Sequence, residues 1–490
     1  MIIDYHAILP ELILSGTILV VLVVDVFLPE RRSWFAMPLA LLGVLAALVA
    51  VLTLIPGDDR STFGGTFVVD TFAITFKAFF LVVAAVVLAL SLRYFREGGF
   101  YQGEYYYLLL TSFLGCLLMP SSRDLLLLFI SLELVSAPGF LMAAFRKGDI
   151  RSNEAGLKFF LIGVLSTAVM LFGMSLIYGV TGGQTQLGAI ARELGSLDAN
   201  LESIALAAIL FVVVGFAFKV SAFPFQFWAP DTYEGAPVPV AAFLAVASAA
   251  AGFAGLLQLM FVAFVHQHEF WVPVFTFLSI ATMTIGNLVA LRQTQLIRLL
   301  AYSGIAQAGY MLLPFALVTG DASIDRTAFA AAVAYILIYG IMNLGAFAVA
   351  TAVSRREPNL LISDFAGLAK VMPLLAIGMT TFMVSLAGVP PTAGIWAKLL
   401  IFRAAVDRGE LLGPILAAIM VVNSVISVAY YFAIPRQMIF REPGERLIDL
   451  RSPLLVTAVV FATMVALVVI FFFPNAFTDL AEMSTLVAAG

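Results

Sequence analysis

Long apolar runs, separated by short stretches of charged residues, glycine and proline, repeat along the whole chain. Each run holds about 20 residues, enough for a helix to cross a hydrocarbon layer about 30 Å thick. The pattern predicts an all-α, polytopic membrane protein with about fourteen spans. They are expected at 8–28, 35–55, 70–92, 104–120, 122–143, 154–178, 204–230, 237–264, 270–291, 296–318, 327–352, 370–407, 411–434 and 453–473. Two are expected to be interrupted, 204–230 by Pro224 and 370–407 by Pro390 and Pro391. Only Pro120 through Asp124 marks a turn between the fourth and fifth. The first run lacks a basic leader region and a small-residue cleavage site, so it reads as a retained span.

Composition sharpens this picture. Of 490 residues, 62% are hydrophobic and 11% are Asp, Glu, Lys or Arg, where soluble domains carry about 25% charged residues. Almost no sequence is left for a soluble domain. No basic run interleaved with aromatics points to nucleic acid. Cys116 is the single cysteine and reads as a packed small hydrophobe. His266 and His268, close together in a loop, read as solvated polar residues with a metal site as the lesser alternative. No Walker loop, no GxGxxG after a strand and no cysteine cluster occurs, which argues against a self-contained redox enzyme or ATP-driven pump.

Basic residues assign sidedness, because loops rich in Lys and Arg stay in the cytoplasm. Loops after odd-numbered spans hold sixteen: Arg31, Arg32, Arg93, Arg96, Arg146, Lys147, Arg151, Arg292, Arg298, Arg355, Arg356, Lys370, Arg436, Arg441, Arg446 and Arg451. The opposite loops hold six, namely Arg60, Arg123, Arg192, Arg326, Arg403 and Arg408. The bias favours reading 370–407 as one broken span and puts both termini on the side away from the cytoplasm. The four remaining basic residues are all lysines inside spans: Lys77, Lys158, Lys219 and Lys398. Unlike arginine, a desolvated lysine can give up its proton.

Glu133 falls near the middle of span five, in SLELVSAPGF. An ionised residue there costs roughly 2.5–3.5 kcal/mol on insertion scales, so a functional carboxylate is expected, with a structural tie to another helix as the alternative. Lys219, just before Pro224, lies beside a helix break, and breaks leave peptide groups that need protein or water to satisfy them. Lys398 repeats the combination of lysine, proline break and tryptophan in span twelve, with Trp396 matching Trp228. The two breaks lie five spans apart and therefore run in opposite directions, the sign of inverted repeats. Lys158 and Lys77 are weaker candidates: snorkelling explains much of Lys158, close to the cytoplasmic end of span six, and Lys77 lies only about seven residues into span three from the other face. Asp25 is expected to be solvated at the cytoplasmic end of span one. In span ten, Tyr302, Ser303 and Gln307 are candidates for a water path or for helix–helix adhesion.

These residues carry a resemblance. LLLLFISLELVS around Glu133, FKVSAFPFQFWAPDTYEGAP around Lys219, LIRLLAYSGIAQAGY, and LAGVPPTAGIWAKLLIF around Lys398 resemble the proton-translocating subunit N family of respiratory NADH–quinone oxidoreductase (complex I), related to Mrp-type cation/proton antiporter subunits. The resemblance covers nearly the whole chain as one antiporter-like domain, 1–490. It implies fourteen helices with inverted five-helix repeats at about 104–264 and 270–434, flanked by helices 1–3 and 14. It implies that Glu133 pairs electrostatically with Lys219, and that Glu133, Lys219 and Lys398 transfer protons, supported by Lys158, Ser248, Tyr302 and Gln307. Lysine at 398 and a chain ending soon after span fourteen favour subunit N over subunits M and L.

The resemblance also implies a translocase subunit with no cofactor or redox chemistry of its own. NADH, FMN, iron–sulfur clusters and a quinone (ubiquinone or menaquinone) belong to partner subunits. The neighbours would be lipids and other membrane subunits, M, K, J and A among them, in the bacterial inner membrane with both termini periplasmic. One departure matters: where the family carries a central helix-eight lysine, this chain has Ala249. Ser248, Gln258 or ordered water are candidates to bridge Lys219 and span ten, by orienting water rather than storing a proton. The rival readings are a cation/proton antiporter subunit and a structural subunit that has lost pumping.

Overall fold

The computed structural model describes residues 3–27, 35–55, 58–98, 103–448, 450–483 and 486. Arg31 and Arg32 lie outside them. Among the described residues, eleven helices are long and apolar enough to cross a membrane. The other three expected spans fall on shorter helices, Ala36–Leu52, Gly103–Leu118 and Pro373–Ala387. We number the main helices α1 Leu9–Phe27, α2 Ala36–Leu52, α3 Thr71–Gly98, α4 Gly103–Leu118, α5 Leu125–Ala143 and α6 Ile150–Val180. There follow α7 Ala199–Lys219, α8 Trp228–Gly235, α9 Val238–Ala263, α10 His268–Ala290, α11 Leu296–Leu312 and α12 Ala322–Val353. The last are α13 Pro373–Ala387, α14 Gly394–Asp407, α15 Leu412–Phe440 and α16 Leu454–Phe472.

Both expected breaks are present. Helix α7 stops at Lys219 and α8 starts at Trp228, whereas α13 stops at Ala387 and α14 starts at Gly394. Gly388, at φ 81°, ends α13 in the left-handed conformation that costs glycine nothing. The turn between α4 and α5 also stands where Pro120 to Asp124 put it. There Asp124 caps α5, accepting from Leu126 N at 2.9 Å.

Helices α9 and α12 form the centre and are almost wholly buried, while α16 is largely exposed at the periphery. Along α12 the apolar face alone does not explain this depth, because Tyr335, Tyr339 and Asn343 are buried with it. Helix α9 is also irregular, carrying single π turns at Leu244–Ser248 and Leu259–Ala263. A π turn widens the backbone ladder locally and often marks a functional position.

Among the described residues, one two-stranded sheet interrupts the helices. Arg60–Thr62 and Phe67–Val69 form a two-stranded antiparallel hairpin, turned by Gly64 and Gly65 at φ 70° and 93°. The hairpin delivers Asp70 to the start of α3, where its Oδ1 accepts from Ala73 N at 2.8 Å.

Three sequence expectations about polar residues are corrected. Arg123, counted as a loop residue, is fully buried and pairs with Asp70 at 2.5 Å, both side chains inaccessible. The carboxylate and carbonyl acceptors around it replace the water it would need in a loop. Asp25 is not solvated: it is 7% exposed, and Gly103 on the neighbouring α4 lies so close that a Cβ would collide with its carboxylate. Gln258 does not serve Lys219. It accepts from Arg123 and donates to the Met119 carbonyl at 2.7 Å, so the arginine has claimed it.

Candidate functional site

Lys219 is the last residue of α7 and is 3% exposed. Its stem lies against Gly252 of α9, where a Cβ would come 2.9 Å from the Lys219 Cγ. Its ammonium donates to Ser136 Oγ on α5 at 2.8 Å. Ser136, in the same SLELVSAPGF stretch as Glu133, was missed in the sequence because a serine in a helix needs no explanation beyond its own back-bond, here to Leu132 O at 2.8 Å. Trp228, opening α8 across the break, donates to the Phe218 carbonyl at 3.2 Å and stacks on Phe159. It thus shares the Phe218 carbonyl with the backbone amide of Ser221, which bonds it at 3.0 Å.

Glu133 is half-buried and accepts from Thr167 Oγ1 of α6 at 2.9 Å. No ion pair joins it to Lys219 among those described; Ser136, three residues along α5, takes the lysine instead. Glu133 shares its face with Ile130 and Leu141, 53% and 60% exposed. The carboxylate is therefore at the edge of the molecule rather than in its interior.

Lys398 is 7% exposed, one turn into α14. Its Nζ donates back across the break to the Ala387 carbonyl at 2.9 Å and lies 4.9 Å from the centre of the Tyr310 ring. The neighbouring carbonyl, Leu386, accepts from Gln307 Nε2 at 3.0 Å. The break thus exposes two consecutive carbonyls, one held by an ammonium and the other by an amide. Trp396 caps elsewhere, donating to Phe471 O at 3.0 Å.

Gln307 opens a network that extends beyond span ten. Its Nε2 also donates to Tyr431 Oη at 2.9 Å, and its Oε1 accepts from Tyr335 Oη at 2.5 Å. Ser303 bonds Tyr431 at 2.5 Å. Beside this group, Asn287 donates to Tyr310 at 3.2 Å and to Asn423 at 3.2 Å, and accepts from Tyr430 at 2.9 Å. The sequence reading identified Ser303 and Gln307 but missed Asn287, Tyr335, Asn423, Tyr430 and Tyr431. The adjacent tyrosines of span thirteen and an asparagine in span nine were available signals. Tyr302 stands outside this network, half-buried against the apolar core. Ser248 is buried at the end of the first π turn of α9, without a hydrogen bond to Lys219.

Lys158 belongs to a separate cluster. It pairs with Glu154 and Asp231, each at 2.7 Å, while Arg298 pairs with Asp231 at 2.9 Å and Glu234 at 2.7 Å. The cluster ties α6, α8 and α11 together through carboxylates of the WAPDTYEGAP stretch. Lys158 is 44% exposed there, consistent with an anchoring lysine that screening weakens. Lys77 makes a third, distant pair, with Glu11 at 2.8 Å and wholly buried. His268 bonds its own turn, to Val265 O at 3.1 Å, and no cluster of metal-binding groups occurs among the described residues.

Comparison with known proteins places this geometry. Residues 122–427 match the family described as NADH:quinone oxidoreductase/Mrp antiporter, transmembrane. The chain belongs to this family. NADH-quinone oxidoreductase subunit N of Trichlorobacter lovleyi is 41% identical over 450 residues, covering 91% of this chain and 90% of that one. NAD(P)H-quinone oxidoreductase subunit 2 of Synechococcus elongatus is 43% identical over 439 residues, covering 89% and 82%. A chain of respiratory complex I from Thermus thermophilus superposes with a TM-score of 0.79 at 30% identity, covering 96% and 99%. A chain of the Mrp complex from a Dietzia species superposes at 0.85 with 20% identity, covering 98% and 97%, and so shares the fold. Within the family, this chain is a multi-pass, subunit N-like membrane subunit of a quinone oxidoreductase.

Proposed function

We propose that the chain carries protons across the membrane through Glu133, Lys219 and Lys398, driven by quinone reduction in partner subunits of an NADH–quinone oxidoreductase. The observation that carries this reading is the pair of buried lysines, each at a helix break and each held, among the described residues, by one hydrogen bond to a neutral group. A lysine whose hydrogen-bond partner is neutral can exchange its proton; a lysine locked in several ion pairs cannot do so readily. Lys158, with two carboxylates, is of the second kind.

In this reading a proton arrives from the end rich in basic loops and is held at Lys219. The separation between the Glu133 carboxylate and the ammonium sets how firmly it is held. It then moves to the hydroxyl cluster around Tyr431 and on to Lys398, whose carbonyl partner adjoins that of Gln307. The repeats at about 104–264 and 270–434 would each supply one break and one lysine. NADH, FMN, iron–sulfur clusters and the quinone reside in partner subunits, and the protein sits in the bacterial inner membrane with periplasmic termini.

The half-buried Glu133, on a face of exposed aliphatic side chains, supports a neighbouring membrane subunit against α5 and α6. An ionised carboxylate facing lipid alone is costly. Subunits M, K, J and A are the neighbours that the family resemblance implies.

The test uses the assembled enzyme in vesicles, with electron flow and proton release measured together. Lys398→Ala is expected to lower the protons moved per electron. Unchanged stoichiometry would remove Lys398 from the route. Sodium independence of the remaining transport separates this reading from that of a cation/proton antiporter.

A further inference from the structure

Along α9, every residue from Val238 to Met260 is buried except Ala249, which is half-buried. The exception has a cause. Ala249 faces a small internal cavity of about 10 Å³, also lined by Ser221, Tyr233, Gly304 and Tyr339. One water needs roughly 10–15 Å³ and two or more polar partners. The polar lining supplies them: the Ser221 hydroxyl in the α7–α8 break, the Tyr233 phenol of α8 and the Tyr339 phenol of α12. Gly304 of α11 keeps the space open, because a Cβ there would come 3.0 Å from the Tyr339 hydroxyl. The cavity begins at Val220, the residue after Lys219, and Tyr339 lies within electrostatic range of Tyr233 and Tyr431.

Helix α12 extends this polarity. Tyr335, Tyr339 and Asn343 recur at spacings of four residues, which puts them on one helix face. All three are buried, and the Asn343 amide lies beside the Tyr339 hydroxyl one turn away without a hydrogen bond of good geometry. A buried, unsatisfied amide costs about 1–3 kcal/mol. An apolar residue would avoid that cost if this face only had to fill space. Tyr335, at the other end of the stripe, already bonds Gln307.

We propose that one water seated between Ala249, Ser221, Tyr233 and Tyr339, together with the Tyr339 hydroxyl, carries protons across the gap between Lys219 and the Tyr335–Tyr431 cluster. The inference rests on the proposed route and assigns the part of it where α9 has no titratable group. The transfer needs no stable charge on either carrier. The water accepts a proton on its oxygen and releases one of its own to Tyr339. The phenol oxygen accepts that proton and passes its original one onward, so one proton enters and one leaves. Reorientation of the water and the hydroxyl resets the pair.

The test compares Tyr339→Phe and Ala249→Val in the intact enzyme reconstituted in vesicles, with Lys398→Ala alongside. Phenylalanine removes only the hydroxyl, and valine occupies the cavity. Both are expected to lower protons moved per electron at unchanged assembly, while Ala249→Ser retains the yield. Wild-type stoichiometry in Tyr339→Phe overturns the inference, whatever Lys398→Ala does, and it decides the matter if Ala249→Val fails to assemble. Loss in Tyr339→Phe with none in Lys398→Ala supports the inference and sinks the Lys398 part of the route instead.

Discussion

Lys398 and Gln307 donate to consecutive carbonyls at the end of one broken helix, Ala387 at 2.9 Å and Leu386 at 3.0 Å. The break separates these carbonyls from the helical amides that would otherwise take them, so side chains from α14 and α11 do so. A titratable group and a neutral amide are thereby fixed one peptide apart. Any change in the protonation of Lys398 is felt first at Ala387, and next at the peptide that holds Gln307.

Gln307→Leu is the direct probe of that connection. It leaves the Leu386 carbonyl without this donor and strips Tyr335 and Tyr431 of a shared partner. Each buried group left unsatisfied costs about 1–3 kcal/mol. We expect a lower thermal midpoint for the purified enzyme and a reduced proton yield. A reduced midpoint with full proton yield would confine Gln307 to helix adhesion.

Replacing Lys398 by arginine separates its two roles. Arginine can still donate to the Ala387 carbonyl, but it does not release its proton at any accessible pH. Lys398→Arg is therefore expected to keep more stability than Lys398→Ala while matching its loss of proton yield. Equal yield in Lys398→Arg and the wild type would mean that the lysine serves only as a helix cap.

How far this site could be read from the sequence depends on the kind of residue. The two breaks were legible because proline and glycine leave few alternatives to a broken helix at Pro224 and Gly388. Lys219 and Lys398 were legible because a charge in an apolar run is expensive. Tyr335, Tyr339 and Asn343 were not, since uncharged polar residues in an apolar helix are ordinary until three helices meet around them. Asp25 and Arg123 were placed in water because each lies near the end of an apolar run. Their burial depends on Gly103 and on Asp70, which are distant in sequence and set by tertiary packing.

Ser136 offers a test of coupling. It holds the Lys219 ammonium at 2.8 Å. If it positions that proton, Ser136→Ala lowers proton yield on its own but adds nothing to Lys219→Ala, because both act on one step. Additive losses in the double variant would place Ser136 on a different step. The measurement is protons per electron in all three variants at equal enzyme content.

The Asp70–Arg123 pair is expected to behave as structure, not as pathway. Both side chains are inaccessible, and Arg123 also donates to the Pro120 carbonyl at 3.0 Å and to Gln258. Removing one partner of a buried pair leaves the other charge uncompensated, at about 3–5 kcal/mol. Replacing both by apolar residues of similar size is often close to neutral. Arg123→Ala should therefore prevent assembly, whereas Arg123→Met combined with Asp70→Leu should recover much of it. Proton yield per electron in the recovered double variant is the discriminating measurement. A normal yield assigns the pair to folding the hairpin, α3 and α9 together; a lowered yield in a fully assembled enzyme would instead make it part of the exit on that side.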